Sequence, residues 1–477
     1  MIFHSVAFVM FFVVVVAVYW RLPHRAQNVF LLAASYVFYG WVHPWFVAIM
    51  LTSTTVDFWA GQRMEDDPRH KGRYLAASLG VNLGMLGFFK YFNFFIDNVH
   101  AALSTLGLSV DLPVLAIVLP AGISFYTFQA LSYTLDVYKG EMHARRNLVD
   151  FALFVAFFPH LVAGPIMRAQ NLLVQVERPR RFSADAARTG LVLMAWGFFK
   201  KLVVADNLAV IANRVFALDA PTFEVLWAGV FAFGIQIYAD FSAYSDIARG
   251  VARWFGFELI VNFNHPYIAH SPTDFWRRWH IALSTWFRDY VYIPLGGNRV
   301  PRLQREINLL ATFVISGLWH GASWNFVLWG FYHGLLVSTT RSIGRLVRLP
   351  EHWPGPLILL QVAGTFVAMM AGWLLFRETN PHYLMAFLHL SPRASTPLEK
   401  QFGVHLLALA ATWSLPLAVN DLWVLCRERS AGFNRWIEAV GDGLTLAGAQ
   451  ALTVGTLTAL TLVLRSRVSF DFIYFQF

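Results

Sequence analysis

The sequence predicts an all-α, polytopic integral membrane protein of roughly 10 to 13 membrane segments, some broken or re-entrant, with amphipathic helices at the interface. Three observations carry this. The 477 residues are 57% hydrophobic and only 14% charged, with a mean hydropathy of +0.51. Apolar runs long enough to span recur along the whole chain. Those runs are helix-length, unlike the roughly ten-residue alternating strands of a membrane barrel. The chain reads as one transmembrane domain, residues 1–477, with a histidine-containing core at about 254–340.

The formal charge of +9 does not point to nucleic acid, because the basic residues form short clusters between apolar runs, as the positive-inside bias requires. Cys426 is the single cysteine, which excludes an internal disulfide and any multi-thiolate metal site.

Residues 2–20 have no positive charge ahead of them and Arg21 and Arg25 behind. That is the reverse of a signal peptide and predicts a first span with an outer N-terminus. Runs 27–41 and 44–60 form a pair that returns to the basic loop Arg63, Arg69, Lys71 and Arg73. Run 75–96 leads out to 97–112, which has no lysine or arginine, and 113–135 comes back to Lys139, Arg145 and Arg146. Run 151–167 breaks the alternation, with arginines at both ends and two prolines and a glycine in FFPHLVAGP. A broken or re-entrant segment is expected there. Runs 187–211 and 225–247 form the next pair, with Lys200 and Lys201 inside the first.

Residues 254–305 are too polar to span and interleave Trp with Arg, which suits the headgroup level of a lipid membrane. Ser271-Pro272-Thr273-Asp274 reads as a helix start with Ser271 as cap. One amphipathic helix over 272–290 is expected, then a loop at IPLGGNR, where paired glycines break the helix. The stretch 307–340 carries LWHGASWN in its middle and arginines on both flanks, Arg299, Arg302 and Arg305 before, Arg341, Arg345 and Arg348 after. Two short arms reaching about mid-bilayer are expected, bent at Gly317 and Gly321 with His320 near the apex. Runs 356–376, 405–425 and 444–464 complete the spans, and the tail VSFDFIYFQF is placed outside.

An ionisable side chain at membrane depth is costly and usually marks a pathway or reaction site. His320 is the first candidate, the alternative being a structural histidine hydrogen-bonded to a neighbouring backbone carbonyl. His280, in FWRRWHIALSTWFRD, is open to a structural or a functional role, and His160, in FFPHLVAGP, either lines a pore or packs. His333 would lie about 20 Å from His320 along a straight helix, too far to share its chemistry, so packing is expected. No metal is expected, since no carboxylate or histidine stands at ligand spacing from His320. Phosphate-loop, HExxH and GxSxG motifs are absent from the sequence. Asp57, Asp136, Asp240, Asp246 and Asp274 read as isolated acids, and as a proton relay they would fit a transporter.

WRRWHIALSTWFRDYVYIPLGGNR followed by GLWHGASWNFVLWGFYHG resembles the membrane-bound O-acyltransferase family, and within it the bacterial alginate O-acetyltransferase branch. FFPHLVAGPI, YADFSAYSDIARG, FNHPYIAHSPTDFW and FIYFQF look like that branch too. The resemblance implies a multi-pass enzyme of the bacterial inner membrane, with funnels from both faces approaching an essential histidine. The matching residue is His320, and His280 matches the second histidine of the active region. The resemblance also implies an acyl group, usually acetyl, taken from a cytoplasmic donor and delivered outward to a polysaccharide such as alginate. A periplasmic partner of the SGNH-hydrolase type often completes transfer. No bound cofactor is expected; the donor is acetyl-CoA or an acyl-carrier protein.

A thioester is already activated, so such an enzyme must chiefly hold it against a hydroxyl and remove that hydroxyl's proton. Neutral imidazole, with an ordinary pKa of about 6.5, suits the task. His320 is expected to be the general base, and His280 to orient the donor or share the proton. Arg277, Arg278 and Arg288 are expected to meet either coenzyme A phosphates or lipid headgroups. Trp319, Ser323 and Asn325 are expected to shape the pocket, with Asn325 hydrogen-bonded to the acyl carbonyl. The alternative from another class is a transporter or flippase component exporting a polysaccharide or lipid-linked intermediate along the same residues. The extended histidine motifs and the lack of an inverted repeat favour the enzyme.

Overall fold

With no water at membrane depth to satisfy backbone groups, apolar runs fold as helices. The computed structural model describes residues 1–108, 110–346, 355–429 and 443–473, and among them there is no strand. Among the described residues, five helices are long and apolar enough to cross a membrane: Pro68–Thr105, Phe223–Trp254, Leu357–Arg377, Pro397–Cys426 and Leu446–Leu464. Residues 474–477, which carry part of the FIYFQF match, lie outside the described residues, as do Arg348 and Arg435. The chain divides into two compact units, Met1–Ala187 with Val251–Ile260, and Arg188–Gly250 with Val261–Phe477.

The first unit holds α1 (Val6–Tyr19), α2 (His24–Tyr39), α3 (Phe46–Asp66), α4 (Lys71–Leu86), α5 (Phe92–Thr105), α6 (Ile123–Lys139), α7 (Leu148–Ala156), α8 (Phe158–Leu161) and α9 (Ala169–Glu177). Helix α1, at 14 residues, is shorter than the span expected of 2–20. Run 75–96 is instead part of one long helical stretch that continues to Thr105, through a π turn at Gly87–Tyr91. The segment expected as a loop from residue 97 is therefore still helix. Run 113–135 starts late, because the backbone becomes helical only at Ile123, after Gly122 in the left-handed region.

The broken segment is as expected. Asn147 caps α7, the chain kinks at Phe157, and Pro159 opens α8. This segment forms the centre of the unit, packed against α2, α3 and α6, with Phe151 through Phe158 almost wholly buried. Of its two possible roles, His160 takes packing: its Nε2 meets the Gln129 amide oxygen at 2.6 Å.

The second unit holds most of α10 (Ala184–Phe199), α11 (Asp206–Phe216) and most of α12 (Phe223–Trp254). It continues with α13 (Pro272–Arg278), α14 (Ile281–Phe287), α15 (Arg302–His320), α16 (Trp324–Leu346), α17 (Gly355–Arg377), α18 (Pro381–Leu388), α19 (Pro397–Arg429) and α20 (Gly443–Leu464). Lys200 and Lys201 open a π turn, Lys200–Ala205, whose extra residue aims both ammoniums inward. Lys200 donates to Ser242 at 2.8 Å and to Asp246 at 2.7 Å. Lys201 lies between Asp206 at 3.0 Å and Asp240 at 2.9 Å.

The acids that look isolated in the sequence all have partners. Asp57 accepts from Ser78 and Asn82, Asp136 from Gln170, and Asp274 pairs with Arg278. The tail, expected outside, packs into the second unit as far as Ile473. Ile473 N–H donates to Asp240 at 2.7 Å, and the Phe472 ring lies 4.2 Å from Tyr244.

Residues 307–340 form a helical hairpin, with its turn at residues 321–323 and His320 at the apex. The arms are longer than expected, at 19 and 23 residues. Glycines let them approach closely. A Cβ on Gly317 would overlap the Phe326 carbonyl, and one on Gly330 the Phe313 carbonyl.

Replacing Gly330 by Ala should therefore overpack the hairpin, at a cost of about 1–3 kcal/mol, and lower the thermal midpoint of the protein in detergent. Gly344→Ala, on the same helix with nothing near its Cβ, should leave the midpoint unchanged or raise it. Lys201→Met should lower it further than either, because a buried carboxylate left without its cation costs about 3–5 kcal/mol.

Candidate active site

His320 is the last residue of α15 and is 4% exposed. Gly321 turns the chain immediately after it, and a Cβ there would overlap the Phe326 ring. Aromatic rings enclose the imidazole, with centroids at 5.0 Å for Trp319, 5.0 Å for Trp329 and 5.4 Å for Phe376.

His280 interrupts what the sequence suggested was one helix over 272–290. Ser271 does cap the first piece, accepting from the Asp274 N–H. Helix α13 then ends at Arg278, and α14 begins only at Ile281. His280 sits in the break at φ 43°, ψ 54°. It and His265 are the non-glycine residues at positive φ among those described, a conformation that costs about 1–3 kcal/mol and clusters at functional sites.

The surroundings hold His280 there. Asn264 N–H donates to the Arg278 carbonyl and Ile281 N–H to the Asn262 carbonyl, both at 2.9 Å. The buried Asn262 side chain accepts from Ala282 N–H at 3.1 Å and donates to Ser245. Leu283 N–H donates to His280 Nδ1 at 3.4 Å, which places the ring proton on Nε2. His280 thus presents a donor rather than a base. Its ring lies 4.7 Å from Phe241 and 6.1 Å from Trp319, so the Trp319 indole touches both histidines.

A cleft of about 570 Å³ lies in the same unit, lined in part by Trp276, Arg277, Arg288, Ser316, Val337 and Arg341. That volume suits a small-molecule ligand. Ser316 is one turn from His320 on α15, and Leu283 joins the cleft wall to the His280 turn. Neither histidine lines the cleft, and its wall approaches them at Ser316 and Leu283.

Of the residues singled out from sequence, His320, His280 and Trp319 come together, and Arg277 and Arg288 line the cleft. Arg288 also pairs with Asp289 at 2.6 Å. Arg278 points elsewhere, bonded to Asp274 at 3.1 Å. Ser323 sits half-buried in the hairpin turn, its carbonyl accepting from Phe326 N–H. Asn325 Nδ2 donates to the carbonyls of Leu375 and Phe376 at 3.3 and 3.2 Å. Its donor is committed to the end of α17, so it does not serve an acyl carbonyl.

His333 corrects the straight-helix distance. The hairpin folds it back, so that His320 and His333 lie 5.0 and 4.9 Å from the same Trp329 ring. Trp276 and Arg341 are among the cleft residues to which the sequence assigns no site role. Arg341 follows Val337 by one helical turn on α16, and that spacing was the one signal available.

The sequence profile of the membrane-bound O-acyltransferase family matches residues 141–377, a range that contains the whole site. A protein named probable alginate O-acetylase, from Azotobacter vinelandii, is 43% identical over 384 residues, 80% of this chain and 76% of its own. The chain belongs to the membrane-bound O-acyltransferase family. It is a multi-pass membrane O-acyltransferase. It is also similar to a peptidoglycan O-acetyltransferase of Helicobacter pylori, 34% identical over 76% of this chain and 74% of that one. A teichoic acid D-alanyltransferase of Bacillus subtilis is 28% identical, over 46% and 58% respectively.

His280→Asn should fold with a thermal midpoint near wild type, because asparagine tolerates the left-handed region and caps helices. His280→Val should lower the midpoint by several degrees, since a β-branched residue is a genuine outlier there. Equal midpoints for the two variants would contradict the backbone assignment.

Proposed function

We propose that this acyltransferase takes an acetyl group from a cytoplasmic thioester, acetyl-CoA, and moves it across the inner membrane for O-acetylation of an extracytoplasmic polysaccharide. Alginate or a similar polymer is the acceptor class. The single observation that carries this reading is the pair of buried histidines on one indole, close along the chain to residues Ile281 and Ser316 of an arginine-lined cleft. The names of the relatives, an alginate O-acetylase and a peptidoglycan O-acetyltransferase, support acetyl as the group and a cell-envelope polymer as its destination.

The geometry supports the following roles. Arg277, Arg288 and Arg341 hold the donor's phosphates, since guanidinium matches phosphate in paired hydrogen bonds. The acyl end lies between His280 and His320. His320 takes the proton of the acceptor hydroxyl, whose oxygen attacks the thioester carbonyl. His280, protonated at Nε2, orients the donor and steadies the oxygen on which charge develops. The aromatic shell excludes water, which keeps the thioester from hydrolysis and strengthens each polar contact. A periplasmic partner of the SGNH-hydrolase type receives the group and completes transfer to polymer.

The test is turnover of labelled acetyl-CoA by purified protein in nanodiscs, with a periplasmic fraction supplying the acceptor. Wild type should release free thiol, and His320→Ala should lose roughly 10²–10⁴-fold in rate, the usual contribution of a general base. Arg277→Ala combined with Arg341→Ala should raise the donor KM while leaving kcat within a few-fold. Donor turnover that is the same in wild type and His320→Ala would refute the role of His320.

A further inference from the structure

One buried group near the site has no place in the mechanism above. His333, on α16, is 1% exposed, and neither of its ring nitrogens has a hydrogen-bond partner among the described residues. Rings surround it, Trp276 at 5.1 Å, Trp329 at 4.9 Å and Tyr332 at 5.2 Å, and α17 backs it with Gly372, where a Cβ would overlap its Nε2. A buried polar group without a partner is destabilising, and an apolar side chain of similar volume would fill this space without that loss. An imidazole kept under those terms calls for a functional account.

Its location supplies one. Asn325, Trp329, His333, Val337 and Arg341 follow one another at four-residue spacing along α16, the ridge by which a helix packs. The far end of that ridge, Val337 and Arg341, lines the cleft. The near end, Trp329, touches His320. Trp276, also in the cleft wall, touches both His333 and Trp329. His333 therefore stands between the arginine-lined cleft and the base.

We propose that His333 is a binding residue for the thioester sulfur of the donor. With the acyl carbon at His320 and the phosphates at the cleft mouth, the sulfur lies on the cleft side of the carbonyl, the side on which Trp276 of the cleft wall meets His333. As the acceptor oxygen bonds to the carbonyl carbon, its proton passes to His320, the carbon–sulfur bond breaks and its electron pair stays on sulfur. The His333 N–H donates a hydrogen bond to that sulfur without giving up its proton. The thiolate becomes a thiol on taking up the proton that His320 releases. This step rests on the acyl-thioester reading of the cleft.

His333→Phe tests it, because phenyl keeps the ring contacts and removes both nitrogens. The expected result is a thermal midpoint equal to or above wild type, with kcat on acetyl-CoA reduced at least 10-fold. The defect should shrink on acetyl thioesters of arylthiols, whose low-pKa thiolates need less stabilisation, a dependence that a purely structural role would not produce. A folded His333→Phe with wild-type kcat, or with a defect equal on both donors, overturns the proposal. If His333→Phe does not fold, His333→Met decides by the same criteria. Failure of both to fold also overturns it, since the imidazole is then a packing requirement. Wild type and His320→Ala run alongside: absence of donor turnover by wild type refutes the thioester reading itself, whereas wild-type turnover with an unaffected His333→Phe refutes His333 alone.

Discussion

Everything in the site depends on how closely the two arms of the α15–α16 hairpin approach. Gly317 and Gly330 let backbone meet backbone where any Cβ would collide, and Gly321 and Gly334 make room for the Phe326 ring and the Leu310 side chain. That contact sets the turn at residues 321–323, which fixes His320 at the apex. It also folds His333 back onto Trp329 and brings Val337 and Arg341 along the cleft wall. In lipid, where apolar surface gains nothing by leaving water, such small-residue packing is what holds helices together.

Around that contact the unit resolves a conflict between burial and polarity. Buried charges are paired, as with Lys200 and Lys201 on their aspartates, and this network also fastens the tail through Ile473. The two site histidines are placed differently: His280 is held at positive φ by backbone bonds to 262–264, and the rings of Trp319, Trp329 and Phe376 surround His320.

The sequence made much of this legible and hid the rest for physical reasons. Hydropathy and glycine placement were enough to predict the helical class and the hairpin with His320 at its bend, and Pro159 and Pro165 marked the broken segment. The break at His280 was hidden, because nothing in WRRWHIALSTW disfavours a continuous helix; the interruption is imposed by residues 262–264, distant contacts that no local pattern encodes. Lys200 and Lys201 looked misplaced in a span because Ser242, Asp246 and Asp240 lie about 40 residues away on α12, and a π turn is needed to aim both inward. The distance between His320 and His333 was misjudged by treating the stretch as straight on both sides of a bend it was itself predicted to contain.

The most direct test of the account is a structure of the protein in nanodiscs with a non-hydrolysable acetyl-CoA analogue. The analogue's phosphates should lie against Arg277, Arg288 and Arg341, its sulfur-equivalent atom beside His333 and its acetyl end between His280 and His320. An analogue bound with its phosphates on other residues, or with its acetyl end away from both histidines, would contradict the path from cleft to base on which the mechanism is built.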